Sequence, residues 1–189
     1  VAAKGVEEIH RIPVKRIPMT SNGLLPFQID NAMASVGAVW ALGLPWSAVN
    51  TGLATFDSSA NSAPGRFNLF QHRGATVVAD YGHNPDAMRA LVDGIQAMKP
   101  KRSHVVISGA GDRRDQDIRD QTQILGTAFD EVILYQDACQ RGRSDGEVIK
   151  LLREGRYAKL PPLLIFKGLK NGCILTREFP TYLVDGQYL

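Results

Sequence analysis

The sequence predicts an α/β fold in which a mostly parallel sheet carries helices on both faces, with a helical region before it. After residue 65, short apolar runs alternate with longer amphipathic runs, and helices between apolar strands are typical of a parallel sheet. Residues 57–65, DSSANSAPG, are small and polar and predict a linker. We therefore predict two domains, residues 1–59 and 60–189, because 189 residues suffice for one domain and part of another.

The first predicted domain contains extended segments followed by helices. Residues 5–20 alternate loosely and include two prolines, which favours short strands over helix. Residues 28–42 are rich in Ala, Met, Val, Trp and Leu and predict a helix, with Asp30 in its first turn, where a negative charge suits the helix dipole. Ser47 is predicted to cap a second short helix that ends near Leu53.

The second predicted domain alternates strands and helices. The predicted strands are 67–71, 75–80, 104–108 and 131–135, and the predicted helices are 86–98, 116–128 and 145–154. A turn at Arg73-Gly74 predicts that the first two strands form a hairpin. Because ligands of such sheets bind beyond the carboxyl ends of the strands, the candidate loops are those after Asp80, Ser108 and Tyr135.

Composition and charge exclude several classes of protein. The net charge of +3, from 22 basic and 19 acidic residues, is too small to indicate a nucleic-acid or anionic-membrane partner. The cysteines, Cys139 and Cys173, do not make a disulfide framework. Neither an apolar run of about 18 residues nor a signal-peptide pattern is found, so we expect a cytoplasmic protein. The missing initiator Met suggests a fragment or a trimmed chain.

The first motif, Asp80-Tyr81-Gly82-His83-Asn84-Pro85, follows an apolar strand. A carboxylate at the end of a strand can accept hydrogen bonds from sugar hydroxyls or bind a metal, and His83 stands where a phosphate or substrate could reach it. Pro85 fits the first turn of a helix. The alternative interpretation is that Asp80 caps a helix or anchors a loop and that His83 is structural.

The second motif, the segment 108–115, also lies between a strand and a helix. Its glycines allow backbone N–H groups to approach a ligand, and the helix N-terminus after it favours anions. It contains Asp112, Arg113 and Asp115. The sequence G-x-x-x-x-G-K-[ST] of a P-loop is absent from residues 1–189. The alternative is a tight turn with solvated charges.

Two arginine-containing segments complete the set. Arg141 and Arg143 follow the strand that ends at Tyr135, and arginine can hold carboxylates or phosphates in a two-pronged geometry. The alternative is a surface loop in which Ser144 or Asp145 caps a helix. Arg66, in the segment Pro64-Gly65-Arg66-Phe67 after the linker, could close onto a nucleotide or pair with a surface carboxylate. Three charged, glycine-bearing loops at consecutive strand ends favour a binding site.

These motifs resemble those of the Mur ligase family. Asp30-Asn31-Ala32-Met33-Ala34 resembles the family's N-A-L-A-A helix, and Pro64-Gly65-Arg66-Phe67 its G-R linker. Asp80 to Pro85 resembles the D-Y-A-H-x-P motif, and Gly111-Asp112-Arg113 the G-D-R loop. The resemblance covers about residues 7–155, and residues 156–189 depart from the pattern.

The resemblance implies a Rossmann-like C-terminal domain at 60–189, preceded by a remnant of the family's central ATP-binding domain at 1–59. Members join a carboxylate to an amine with ATP and Mg²⁺ through an acyl phosphate. It implies that Asn31 lies near the adenine, that Arg66 and Asp80 contact the nucleotide, with Asp80 on the ribose, and that His83 is catalytic at the inter-domain cleft. It implies no metal ligand among residues 1–189, since the residues that bind Mg²⁺ in the family lie mostly in the rest of the central domain.

The resemblance also implies a site for the incoming amino acid. The residues that it implies there are Asp112, Arg113, Asp115, Arg141, Arg143 and Asp145. The pattern is most similar to members that add arginine to aspartate side chains of an acidic poly-aspartate, so Asp112, Asp115 or Asp117 would meet the guanidinium.

The partners expected are ATP, arginine, the acidic polypeptide and the remainder of the ligase, with a homo-oligomer left open. Without a P-loop, the chain is expected to be inactive alone. The alternatives are a folylpolyglutamate or peptidoglycan-precursor ligase, and a non-catalytic binding module.

Overall fold

The computed structural model describes residues 2–4, 7–137 and 139–155 and the backbone of 163–166. These residues form two compact units. The first contains the described residues up to Tyr81 together with 93–98, and the second contains 82–92 and the described residues from 99 onward. Residues 156–162 and 167–189, which include Cys173, lie outside the described part of the chain. The predicted departure of residues 156–189 from the family pattern therefore falls mostly on residues that are not described. The predicted division at residue 60 stays a prediction.

The first unit begins with short strands, so the prediction of extended structure for residues 5–20 is confirmed at residues 7–10 but is wrong at residues 14–16 and 18–20, which are helical. Strand β1 (Ala2–Lys4) pairs antiparallel with β2 (Glu7–His10). Two single-turn 3₁₀ helices, Val14–Arg16 and Pro18–Thr20, follow. They occupy the part of the segment that contains its prolines, where a regular ladder would lose backbone donors.

Helices α1 (Pro26–Ala41) and α2 (Trp46–Thr55) confirm the two predicted helices but begin earlier than predicted. Proline fits the first position of a helix, so α1 starts at Pro26 and Asp30 lies beyond its first turn, which holds no acidic residue. The prediction that Ser47 caps α2 is wrong. Pro45 is the N-cap residue, and Ser47 lies inside the helix.

The predicted hairpin is confirmed. Strand β3 (Asn68–His72) pairs antiparallel with β4 (Ala75–Ala79), with every residue of one strand opposite one of the other. Arg73 and Gly74 join them with φ values of 47° and 83°, the left-handed geometry of a tight hairpin turn. In the described chain the hairpin forms a sheet of its own, and Asp80 follows it directly.

The second unit contains the parallel sheet. Its strands β5 (His104–Ile107), β6 (Glu131–Tyr135) and β7 (Leu163–Phe166) lie in that order and pair in parallel. Helix α3 (Pro85–Ala97) precedes β5, and α4 (Asp115–Ala128) and α5 (Glu147–Glu154) connect consecutive strands. The core is formed by fully buried side chains of these elements: Ile118, Leu125, Leu134 and Leu152. The predicted α/β class with a parallel sheet is confirmed.

Helix α5 begins after Gly146, which has a left-handed backbone and caps the helix without a side-chain hydrogen bond. The alternative that Ser144 or Asp145 caps α5 is therefore wrong. None of the helices in the described residues is both long and apolar enough to cross a membrane.

Candidate functional site

The predicted nucleotide-binding residues of the first unit line one cavity. Asn31, Arg66 and Asp80 surround a space of about 160 Å³, although they come from a helix, a linker and a strand end. Further lining residues are Met19, Phe27, Gln28, Phe56, Ser58 and Ala63. The cavity thus combines apolar side chains with an amide, a guanidinium and a carboxylate, which is the composition of small-molecule sites. The roles of the three residues stay predictions.

A turn at residues 65–67 positions both Arg66 and Asp80. Gly65 has φ of +70° and Phe67 has φ of +53°, and in this shape the Phe67 N–H donates to Asp80 Oδ2 at 2.9 Å. The Tyr81 N–H donates to the Gly65 carbonyl at 2.8 Å. One oxygen of Asp80 is therefore held by the backbone of the turn. This gives Asp80 the loop-anchoring role of the alternative interpretation, and it also orients the carboxylate at the cavity.

Asn68 is a residue that sequence reasoning missed. It is 2% exposed, and its Oδ1 accepts from the Gly65 N–H at 2.6 Å. Its Nδ2 donates to the carbonyls of Ser58 at 2.5 Å and Ala63 at 2.9 Å. A polar residue at the first position of a predicted strand is a weak signal, because it does not reveal that the side chain turns back to the linker. Asn68 fixes the predicted linker as an ordered wall of the cavity.

Asn31 is oriented from within its own helix. Its Nδ2 donates to Gln28 Oε1 at 3.1 Å, and Gln28 is 3% exposed. Next to it, the ring of Phe27 meets that of buried Phe67 edge-on, with 5.4 Å between centroids. Phe27 and Gln28 therefore hold the cavity side of α1 in place, and neither was singled out in the sequence.

In the second unit, the loop after β5 touches the loop after β6. A Cβ atom on Gly111 would lie 2.0 Å from the Gln140 carbonyl oxygen, so only glycine allows the two backbones to come this close. Two of the three predicted loops are thus brought together. They are joined at the carboxyl ends of neighbouring parallel strands, the place where such sheets bind ligands.

Arg143 fastens these two loops. It is largely buried, with 16% of its side chain exposed. Its Nε donates to the Gly111 carbonyl and one terminal nitrogen to the Arg113 carbonyl, both at 2.7 Å. It also forms ion pairs with Asp115 at 2.8 Å and Glu147 at 2.7 Å. The hydrogen bond to Glu147, and to a smaller extent that to Asp115, raises the pKa of the Arg143 guanidinium. In this structure Arg143 binds the protein itself.

Arg141 and Asp112 form a second pair between the same loops, at 3.2 Å and half-exposed. Burial alone would raise the pKa of Asp112, but the hydrogen bond and charge of Arg141 outweigh it, and the pKa lies below its usual value. Arg141 has a left-handed backbone with φ of 47°, and Gly142 after it has φ of 90°. This turn follows β6 and carries Arg141, whose ion pair with Asp112 is only partly shielded from solvent.

His83 and Arg113 meet in the second unit. A terminal nitrogen of Arg113 contacts His83 Nε2, and the Gln121 side chain donates to the His83 carbonyl at 3.5 Å. Arg113 Nε is buried and has no hydrogen-bond partner among the residues that the structure describes. A guanidinium is a permanent donor, so His83 must offer its Nε2 lone pair in this contact. His83, the predicted catalytic residue, thus contacts the loop after β5. The loops after β5 and β6, together with His83, are called the loop cluster below.

The carboxylates predicted to meet a guanidinium substrate already contact arginines of the chain. Asp112 pairs with Arg141 and Asp115 with Arg143. Asp117 pairs with Arg114 at 2.8 Å, and this hydrogen bond lowers the pKa of the Asp117 carboxyl. Asp145 accepts from the Gln136 side chain. Within the part of the chain that is described, no group of three or more His, Cys, Asp or Glu could hold a metal ion.

Comparisons with known proteins agree on one family. The family model described as "Mur ligase, glutamate ligase domain" matches residues 65–166. The cyanophycin synthetase of Synechocystis sp. is 41% identical over 145 residues, which cover 77% of this chain and 16% of the relative. A UDP-N-acetylmuramoyl-L-alanyl-D-glutamate–2,6-diaminopimelate ligase of Xanthomonas oryzae pv. oryzae is 32% identical over 139 residues, covering 70% of this chain and 26% of the relative.

The solved structures show a related fold. The folylpolyglutamate synthase of Thermotoga maritima superposes with a TM-score of 0.50 at 20% identity, over 76% of this chain and 36% of that one. The chain spans only about a sixth of the length of the cyanophycin synthetases that it matches.

Proposed function

Because the chain belongs to the Mur ligase family, whose glutamate ligase domain matches residues 65–166, we propose that it supplies part of the active site of an ATP-dependent ligase. The proposed reaction joins an amine to a carboxylate in the cytoplasm. Its first unit would contact the nucleotide, and the loop cluster of its second unit would position the incoming amino acid.

The observation that carries this proposal is the shared cavity of Asn31, Arg66 and Asp80. An asparagine amide offers a donor and an acceptor side by side, the pattern that matches the N6 and N7 edge of adenine. A carboxylate oriented by a backbone N–H, as Asp80 is by that of Phe67, is the kind of group that accepts hydrogen bonds from the hydroxyls of a ribose. Arg66 supplies a permanent positive charge for phosphate oxygens.

In the proposed reaction, ATP would supply the phosphoryl group that activates the substrate carboxylate as an acyl phosphate, and Mg²⁺ would supply positive charge that neutralises the charge developing on the phosphates. The described residues offer no three-ligand cluster for Mg²⁺, so the metal ligands are proposed to lie elsewhere in the ligase. The residues of this chain would hold the nucleotide and the amine in place. Holding the two reactants in a fixed geometry, and away from water, is the main contribution of such residues.

The proposed amine is arginine and the proposed acceptor is an aspartate side chain of a poly-aspartate. The identity with cyanophycin synthetases, 41% and 37% for two of them, supports this choice over other members of the family. Arg141, with its exposed partner Asp112, is suited to bind the α-carboxylate of the amino acid. His83, Arg113 and Asp115 are proposed to complete this side of the site, with Arg143 as the residue that fixes its loops.

A chimera tests the proposal. The matching segment of the Synechocystis cyanophycin synthetase is replaced by residues of this chain, and ATP consumption is measured with arginine plus poly-aspartate. We expect ligation in the chimera and its loss on Asp80→Ala, whereas Asp93→Ala, a control outside the cavity, should keep it. A chimera that folds but shows no arginine-dependent turnover would contradict the proposal.

A second candidate is a peptidoglycan-precursor ligase, which the 32% identity to the Xanthomonas diaminopimelate ligase favours. Here the same loops would hold a different amino acid. Exchange of the segment into that enzyme, assayed with diaminopimelate, separates the two, because only the correct amino acid should support turnover. A non-catalytic module would give no turnover in either chimera.

A further inference from the structure

Gln136 is a buried amide at the carboxyl end of the central strand of the parallel sheet. It follows β6 directly and is 9% exposed. Its Nε2 donates to Asp145 Oδ1, whereas Oε1 is buried and lacks a hydrogen-bond partner among the described residues. Because a carboxylate only accepts hydrogen bonds, Asp145 fixes which way the amide faces. The amide oxygen must therefore point away from Asp145.

Gln140 repeats this arrangement in the same loop. Its Nε2 donates to the Asp137 carbonyl, which also only accepts, and its Oε1 is buried and likewise unpaired within the described part of the chain. Buried acceptors without a partner are rare because they lose their hydration, and native proteins keep them where a ligand or a water molecule satisfies them. The loop thus presents two fixed amide oxygens that require N–H donors.

These oxygens differ from the carboxylates of the loops. Asp112, Asp115 and Asp117 each pair with an arginine of the chain, so their charge is already compensated. Asp145 instead contacts a neutral amide, and its negative charge polarises that amide and strengthens Oε1 as an acceptor. A positively charged donor is favoured at Oε1 over a neutral one.

We propose that Gln136, held by Asp145, is a specificity-determining residue whose Oε1 accepts a hydrogen bond from the cationic side chain of the amino acid that is ligated. This inference rests on the proposed function, which places the amino acid at these loops. Gln140 Oε1 is a second buried acceptor of the same loop, and a guanidinium carries several N–H donors. Gln136 is a recognition residue and takes no part in bond formation.

The test uses the whole chain labelled with ¹⁵N and follows the side-chain amide of Gln136 by NMR. Arginine is titrated in parallel with citrulline, which has a similar shape and N–H donors but no charge. Arginine should shift the Gln136 amide and bind more tightly than citrulline. Gln136→Met should weaken arginine binding at least about tenfold, the expected effect of losing a hydrogen bond to a charged group, and should bring arginine close to citrulline.

Two further variants serve as a control and as a second test of the same contact. Gln71→Met removes an exposed amide from the hairpin and should leave arginine binding unchanged. Asp145→Asn lets the Gln136 amide rotate, because an asparagine both donates and accepts, and should reduce the preference for arginine even if Gln136→Met does not fold. Thermal unfolding of each variant separates a lost contact from a lost fold.

The inference is overturned if Gln136→Met binds arginine as the wild type does, or if it weakens arginine and citrulline equally. It is also overturned if no amino acid shifts the Gln136 amide, and the chimera assay then decides the proposed function separately. If lysine binds better than arginine with the same dependence on Gln136, the inference stands and arginine as the proposed substrate is wrong.

Discussion

The side chain of Asn68 makes three hydrogen bonds to the backbone of residues 58–65. Asn68→Ala should therefore lower the free energy of unfolding by about 2 kcal/mol, because it leaves three partly buried backbone groups unpaired. It should also weaken nucleotide binding, since the turn that carries Arg66 loses its anchor. Asn61→Ala, an exposed asparagine in the same segment, is the control. Thermal unfolding of both variants is followed by calorimetry. Equal unfolding temperatures for Asn68→Ala and Asn61→Ala would contradict this account.

The lowered pKa of Glu147 predicts that the stability of the loop cluster depends on pH. The hydrogen bond from Arg143, followed by that from the Ser144 N–H, lowers its pKa below the ordinary 4.5. A carboxylate with a lowered folded pKa stabilises the fold above its unfolded pKa, and this contribution disappears as the pH falls through the lower folded value. The loops should therefore loosen only under acid conditions, below the ordinary pKa of a glutamate.

A carboxyl NMR titration checks this expectation. Arg143→Ala should move the pKa of Glu147 back up toward its ordinary value. Arg141→Ala should leave Glu147 unchanged and raise the pKa of Asp112, because Arg141 contacts Asp112 and not Glu147. If Glu147 titrates in the same way with and without Arg143, the ion pair between the two is not formed in solution.

The sequence identifies which residues form the candidate site, but it does not identify the residues that they contact. Asp80, Asn31 and Arg66 stand in motifs that the sequence makes visible, and the structure brings them to one cavity. The clamp formed by Arg143 was not predictable, because its contacts join Gly111 and Arg113 to a loop about 30 residues away. Such pairing depends on the register of neighbouring strands, which a single sequence does not determine.

At the scale of elements, the junction of the loops after β5 and β6 depends on Gly111. Gly111→Ala should force the loops apart, because the new Cβ would lie 2.0 Å from the Gln140 carbonyl oxygen. We expect a loss of about 1–3 kcal/mol, typical of overpacking, and weaker amino-acid binding. Gly37→Ala in α1, where nothing lies within 4 Å of a Cβ, should stabilise by about 0.5–1 kcal/mol. Chemical denaturation distinguishes the two variants, and effects of the same sign on the free energy of unfolding would contradict this role of Gly111.

Element types followed from the sequence more reliably than element boundaries. The strand at Glu131–Tyr135 was predicted with the bounds that it has, since an apolar run between helical patterns leaves little choice. The start of α1 was predicted two residues late because Pro26 was not recognised as a first helical residue. The hairpin β3–β4 was predicted as a pair, but its separation from the parallel sheet is a tertiary property that no local pattern reports.

For the whole molecule, the residues predicted to contact the two substrates fall in different compact units. The residues predicted to contact the nucleotide, Asn31, Arg66 and Asp80, lie in the first unit. The residues predicted to act on the amino-acid side lie in the second, from His83 to Asp145. Each unit has its own core and its own polar cluster, so a substitution in one cluster should affect one substrate more than the other.

This division predicts the behaviour of the chain by itself. It contains no P-loop sequence, and the backbone N–H groups of such a loop are what hold the phosphates of the nucleotide. The isolated 189-residue chain should therefore bind ATP only weakly, through the cavity of Asn31, Arg66 and Asp80, as measured by calorimetry. It should release no phosphate when arginine and poly-aspartate are added. Asp80→Ala should abolish the weak ATP binding, whereas Gln136→Met should leave it intact because Gln136 belongs to the other unit. Arginine-dependent phosphate release by the isolated chain would show that the residues described here complete the active site without a P-loop, and would refute the proposed division of labour.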